Sequence, residues 1–164
     1  MREIELGGSG MVTLVDDEDY EKVIAAGPWF LEVRPRGFYA MRSYGKDPRR
    51  MHRVICPEID RIDHIDRNGL NNQKSNLRRA NAEQNNRNTE KKRDKYSASK
   101  YKGVSFDPQY RKPWSARISK DRRWIHYSRY ETEIEAAIAY NEAAQKYLGE
   151  FAYLNDVIEP KRSA

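Results

Sequence analysis

Arg61-Ile62-Asp63-His64-Ile65-Asp66-Arg67-Asn68-Gly69, followed by Asn76-Leu77-Arg78-Arg79-Ala80 and then Gln84-Asn85-Asn86, is the stretch on which the reading of this chain turns. On an extended Ile-Asp-His-Ile segment, Asp63 and His64 point to opposite faces, so a strand end or a bulge is expected to bring both to one pocket. Asp63 is a hard oxygen donor suited to Mg²⁺ or Mn²⁺. The imidazole of His64 can take a proton from water near neutrality. Asn85 offers a second oxygen to the same cation. A base and a cation of this kind are what hydrolysis of a phosphodiester needs: one generates the attacking hydroxide, the other stabilises charge on the phosphate and the leaving oxygen. An Asp-His pair by itself is most often a surface pair or a turn; the two later asparagines and the basic surroundings give this one its weight.

The order His64, Asn76, Asn85 resembles the HNH nuclease family, in the variant whose third signature position is Asn. Met51-His52-Arg53, Asp63-His64-Ile65-Asp66, Asn76-Leu77-Arg78 and Gln84-Asn85-Asn86 carry the resemblance, over roughly residues 51–89. It implies a ββα-metal fold, with His64 as general base, Asp63 and Asn85 as metal ligands, and Asn76 orienting the base or supporting the loop. Arg78 and Arg79 are expected to grip phosphates flanking the scissile bond. His52 is read as structural or phosphate-contacting. The Leu14–Tyr20 stretch and Trp29 are similar to the leader of phage-type HNH endonucleases.

Residues 1–50 read as a β-rich leader. Met11–Val15 is one strand, Asp16-Asp17-Glu18-Asp19 caps a short helix through Ala26, and Trp29–Val33 and Phe38–Met41 form a hairpin around Pro35-Arg36-Gly37. Residues 51–89 have few apolar anchors (Ile62, Ile65, Leu70, Leu77) and need a metal, an aromatic neighbour or docking onto the leader to fold. Residues 90–100 read as a basic linker whose Lys91, Lys92, Arg93 and Lys95 could follow a phosphate backbone.

Residues 101–155 form a cleaner unit. Strand-like runs Tyr101–Phe106, Trp114–Ser119 and Trp124–Tyr130 precede a helix with a Thr132-x-x-Glu135 capping box, apolar positions at helical spacing and Gly149 at its end. Eight Lys and Arg against two Asp fall in residues 101–130, and five Glu against one Lys in residues 131–155. A basic sheet backed by an acidic helix suits a sheet that meets DNA. Tyr101-Lys102-Gly103-Val104, Trp114-Ser115-Ala116-Arg117-Ile118, Glu133–Tyr140 and Leu154-Asn155 resemble the plant APETALA2/ethylene-response-factor domain. Such domains lay a three-stranded sheet in the major groove. The implied contacts are Lys102, Arg111, Trp114, Arg117, Arg123 and His126, although Ser128 stands where a Gly is usual. Trp29 and Trp124 are read as core or edge-packing residues.

The chain has 164 residues, a net charge of +6, 34 % charged and 11 % aromatic residues. Its mean hydropathy is −1.03 and its pI near 9.4. Aromatics at that level exclude a disordered chain, and the basic balance favours a polyanionic partner, double-stranded DNA first. The single cysteine, Cys56, excludes an internal disulfide or a Cys-rich zinc site and is expected to be inert. No signal-peptide pattern and no membrane-length apolar run occur. The expectation is a cytoplasmic, nucleoid-associated protein of a bacterial or phage-infected cell with no obligate protein partner.

The fold class expected is therefore α+β: a ββα-metal module plus a three-stranded antiparallel sheet packed on one helix. The function expected is a metal-dependent DNA endonuclease of homing or mobile-element type, one nick per chain, targeted by its C-terminal domain. A DNA-binding regulator with an inactive nuclease half is the alternative, and an RNA-binding module a more distant one.

Overall fold

A computed structural model describes residues 1–35, 37–42, 49–91 and 97–157. Arg36 of the expected hairpin turn and Lys92, Arg93 and Lys95 of the expected linker lie outside the described residues. The architecture is α+β, with small antiparallel sheets and short helices in two compact units, Met1–Asn85 and Asn86–Ala164.

In the first unit, β1 (Arg2–Glu5) pairs antiparallel with β2 (Val12–Val15). Helix α1 (Asp17–Ala25) follows, then the hairpin β3 (Phe30–Arg34) and β4 (Gly37–Arg42), with β5 (Arg49–Arg50) completing a three-stranded sheet. Helix α2 (Met51–Ile55) leads to the hairpin β6 (Ile62–His64) and β7 (Leu77–Arg79), and helix α3 (Ala82–Arg87) ends the run. The acidic run opens α1 as the sequence suggested, with Asp16 at the N-cap and Asp17, Glu18 and Asp19 in the first turn, but without a side-chain cap. The Asp16 carboxylate accepts from Gln73 Nε2 and the Lys74 amide instead. Asn81 and Gln84 exchange reciprocal side-chain-to-backbone bonds at the start of α3. That box satisfies two of the amides a helix end leaves open.

One hydrophobic core serves this whole unit. Ile4, Leu6, Val15, Val23, Trp29 and Ala40 pack with Met51, Ile55, Cys56, Leu70 and Leu77. The leader and the segment after it are thus one folded body, because neither has enough apolar surface to bury alone. Two backbone bonds stitch them: Leu14 N–H to Leu70 O and Asn72 N–H to Leu14 O, each 2.8 Å. Gly69 lies so close to the second hairpin strand that a Cβ there would fall 2.4 Å from Phe38 O and 2.5 Å from the Tyr39 ring. This close approach holds the loop after β6 against β4.

In the second unit, strands β8 (Val104–Phe106), β9 (Trp114–Lys120) and β10 (Arg123–Tyr130) form an antiparallel sheet in the order β10-β9-β8. Helix α4 (Glu133–Leu148) packs on one face, and both bonds of the Thr132–Glu135 capping box are present. Ala116, Ile118, Ala136, Ala137, Tyr140 and Ala144 form the core between them. The segment expected to be a linker is partly tied into this unit. Lys91 Nζ donates to Ser99 O and Val104 O, while Lys102 Nζ, just past the segment, donates to Arg87 O and Thr89 O, just before it. No helix among the described residues is long and apolar enough to cross a membrane.

Candidate active site

The site is built on β6. Its register places Asp63 opposite Arg78 and His64 opposite Leu77 on β7. No bulge interrupts this register, and His64 is the last residue of β6, so the pair sits at a strand end; strand alternation directs the two side chains apart, while the Asp63 carboxylate still acts on the His64 ring.

On one face Asp63 takes two bonds on its Oδ2, from Arg78 Nε at 2.9 Å and Arg78 Nη2 at 2.7 Å. Both side chains are almost wholly buried, with 11 % of Arg78 and 8 % of Asp63 exposed. Arg78 is therefore committed to Asp63 rather than standing open to a phosphate as expected. Arg79 is exposed, and its guanidinium reaches Glu58 O. Asn85, on α3, donates Nδ2 to Ile62 O at 3.4 Å, beside Asp63 in the chain. An amide that spends its NH₂ on a carbonyl presents its oxygen elsewhere. Asp63 and Asn85 are thus two hard oxygen donors on adjoining elements.

On the other face His64 is buried. Its ring meets His52 edge-on at 5.1 Å and Tyr39 at 6.1 Å between centroids. Its Nε2 lies 3.3 Å from Asn72 Oδ1. A carbonyl oxygen only accepts, so Nε2 carries the hydrogen and Nδ1 is the lone-pair nitrogen of the neutral ring. Burial draws the His64 imidazole below its ordinary value. The Asn72 bond and the carboxylates of Asp66 and Asp63 pull the other way. The ring is consequently neutral near pH 7, the state a proton acceptor needs.

Asn76 does not touch His64 in this arrangement; it braces the loop. Its Oδ1 accepts from the Asp66 amide, and its Nδ2 donates to Asp66 Oδ1 and Asn71 O. These bonds tie Asn76 to the loop between β6 and β7. The residue at the imidazole is Asn72, which the sequence reading passed over. No local signal marks it, because it is one of seven asparagines from residue 68 to residue 86.

His52 is structural, packed between Tyr39 and His64. Burial, then the neighbouring His64, Arg50 and Arg53, pushes its imidazole down to about 3. An unfolded chain returns it to its ordinary 6.5. Between those values the unfolded chain binds a proton that the folded one refuses. The stability tied to neutral His52 is therefore complete above pH 6.5 and is lost progressively as pH falls toward 3. The urea midpoint is expected to drop steadily from pH 7 to pH 4, and to do so less steeply in His52→Gln. Equal slopes in the two proteins would refute this origin of acid sensitivity.

The second unit divides the expected DNA contacts between two faces. Arg117 is exposed on the open face, with its guanidinium 5.1 Å from the Trp124 ring centroid. The register irregularity between Trp124 and His126 sets Trp124 opposite Ser119 and Tyr127 opposite Arg117, which puts both aromatics on that face. Trp124 is 60 % exposed. Arg129 joins them, donating to Tyr127 Oη and lying over the Tyr110 ring.

Trp114 is different: it shares the parity of Ala116, packs against the core and meets Phe106 at 4.7 Å. Trp114 is thus packed and Trp124 exposed, because strand parity and the irregularity in β10 decide which face each takes. His126 pairs with buried Ile118 and turns its ring toward Tyr147 of α4, away from the open face. Lys102 is occupied by the carbonyls named above, whereas Arg111 and Arg123 are exposed.

Among the described residues no three His, Cys, Asp or Glu side chains gather as a metal cluster. That does not oppose a magnesium-type ion, which keeps several waters and takes one or two carboxylates besides phosphate.

No family model matches the chain, and no solved structure matches it. The chain is 33 % identical over 123 residues to an uncharacterized HNH endonuclease of Acanthamoeba polyphaga mimivirus, a match covering 70 % of this chain and 62 % of that protein. The chain thus spans less than two thirds of the length of this curated relative.

Proposed function

We propose that the protein is a metal-dependent HNH-type DNA endonuclease, with a ββα-metal module on β6, β7 and α3 and a DNA-binding sheet in its second unit. The observation that carries the reading is the placement of His64: a neutral, buried imidazole oriented through Nε2, next in the chain to a carboxylate that adjoins Asn85. Similarity to a protein named an HNH endonuclease supports it.

In this reading His64 accepts a proton from the attacking water at the lone-pair nitrogen, Nδ1. Asn72 keeps the imidazole in the tautomer that can do so. Asp63 and Asn85 would hold a divalent ion, Mg²⁺ or Mn²⁺, which supplies charge stabilisation at the scissile phosphate. Asn76 keeps the loop between β6 and β7 in shape, and Arg78 neutralises Asp63. The open face carrying Arg117, Trp124, Tyr127 and Arg129 presents cations and flat rings to nucleic acid, with Arg111 and Arg123 adding charge. Tethering a small cutter to a separate binding unit raises its effective concentration at a target, as suits a homing or mobile-element enzyme. One site per chain gives one nick.

The test is cleavage of supercoiled plasmid by the full chain with Mg²⁺ or Mn²⁺, against an EDTA control. Nicked product that vanishes on chelation is the expected result. One observation favours a second reading, a DNA-binding regulator with an inactive first unit: Arg78 already occupies Asp63. Plasmid that is retarded on a gel yet stays intact, with target-site plasmids included, would establish that alternative.

A further inference from the structure

We propose that Thr13, on β2, is a positioning residue for His64: through Asn72, its hydroxyl fixes which nitrogen of the imidazole bears the proton. The consequence for cleavage rests on the nuclease reading above; the consequence for the tautomer does not.

The argument is one of donors and acceptors. Thr13 is completely buried and Asn72 is 1 % exposed. Thr13 Oγ1 lies 2.7 Å from Leu70 O. A backbone carbonyl cannot donate, so the hydroxyl hydrogen points at Leu70. Met51 sulfur, 3.8 Å away, is a weaker and more distant acceptor for the same hydrogen. With its hydrogen spent, Oγ1 presents lone pairs, and Asn72 Nδ2 donates to it at 2.8 Å. The same Nδ2 also reaches Gly69 O at 3.4 Å.

Both partners demand the NH₂ end of the amide, so Asn72 cannot turn over. Its Oδ1 must then face His64 Nε2. The polarity of the whole chain is set at a carbonyl three links from the imidazole. Were the amide reversed, its NH₂ would face Nε2 and favour the opposite tautomer. Thr13 is in place because Leu14 pairs with the 70–72 segment on both sides of Asn71. This gives the first strands a role in the site beyond covering the core.

The experiment compares wild type, Thr13→Val and Thr13→Ser in the metal-free full chain at pH 7.5. Long-range ¹H–¹⁵N spectra of the histidine rings report the tautomer directly, with His64→Ala assigning the His64 signals. Wild type and Thr13→Ser are expected to show a single Nε2–H form. Thr13→Val, which keeps the shape and branched Cβ but has no hydroxyl, is expected to show the Nδ1–H form as well. Its plasmid cleavage is expected to fall by about tenfold to a hundredfold, as for other outer-shell partners, and Thr13→Ser to restore it.

An unchanged tautomer in Thr13→Val overturns the proposal whatever its cleavage rate. So does a wild-type ring carrying its proton on Nδ1, or a serine variant that behaves like valine, since the effect would then follow packing. If wild type does not cleave with any divalent metal, the nuclease reading fails, and the spectra still decide the role of Thr13.

Discussion

Replacing His64 with alanine is expected to lower plasmid cleavage by roughly 10² to 10⁴-fold, the usual contribution of a positioned general base. The expectation follows from the geometry. His64 is neutral through burial and oriented by Asn72, and no other imidazole can substitute. His52 is adjacent but held down to about 3 by its surroundings. His126 is packed against Tyr147 of α4 and paired with Ile118. The variant keeps Asp63, Asn85 and the whole binding face, so its plasmid retardation on a gel should match wild type. A cleavage rate within about threefold of wild type would remove His64 from the mechanism, since a base worth less than that falls outside the range for such catalysis. Loss of both binding and cleavage would point instead to a folding defect.

Arg78→Met is expected to cost about 3 to 5 kcal/mol of stability, the range for removing one partner of a buried ion pair. Two features place the pair in that class. Asp63 and Arg78 face each other in the register of a two-stranded sheet, and both are largely withdrawn from water. Methionine roughly keeps the apolar stem of arginine but leaves the carboxylate without that guanidinium. Because the cost comes from an uncompensated charge, adding Asp63→Asn should recover much of it, and the double variant should be far from additive.

The same variant probes the metal. If Asp63 can bind a divalent ion, millimolar Mn²⁺ should raise the melting temperature of Arg78→Met more than that of wild type, where the guanidinium already serves as counter-charge. Equal shifts in the two proteins would argue against Asp63 as a ligand. A loss below 1 kcal/mol would show that solvent reaches the pair freely.

Local pattern alone determined a good deal of this protein. Strand-like runs between turn signals located β9 and β10, and Thr132 with Glu135 fixed where α4 begins, because turns, capping and helical spacing are properties of neighbouring residues. The Asp63-His64 pair and the later asparagines singled out a candidate site for the same reason.

What the tertiary structure decided is which side chains meet. Strand alternation directs Asp63 and His64 apart because no bulge interrupts the register of β6. Arg78 is held by Asp63 because register sets them opposite. Trp124 is exposed and Trp114 packed because of strand parity and one irregularity in β10. Asn72 and Thr13, which hold the imidazole, are separated by 59 residues. No window of sequence spans that distance, and only the shared core of residues 1–85, whose two halves cannot bury their apolar surface separately, brings them together.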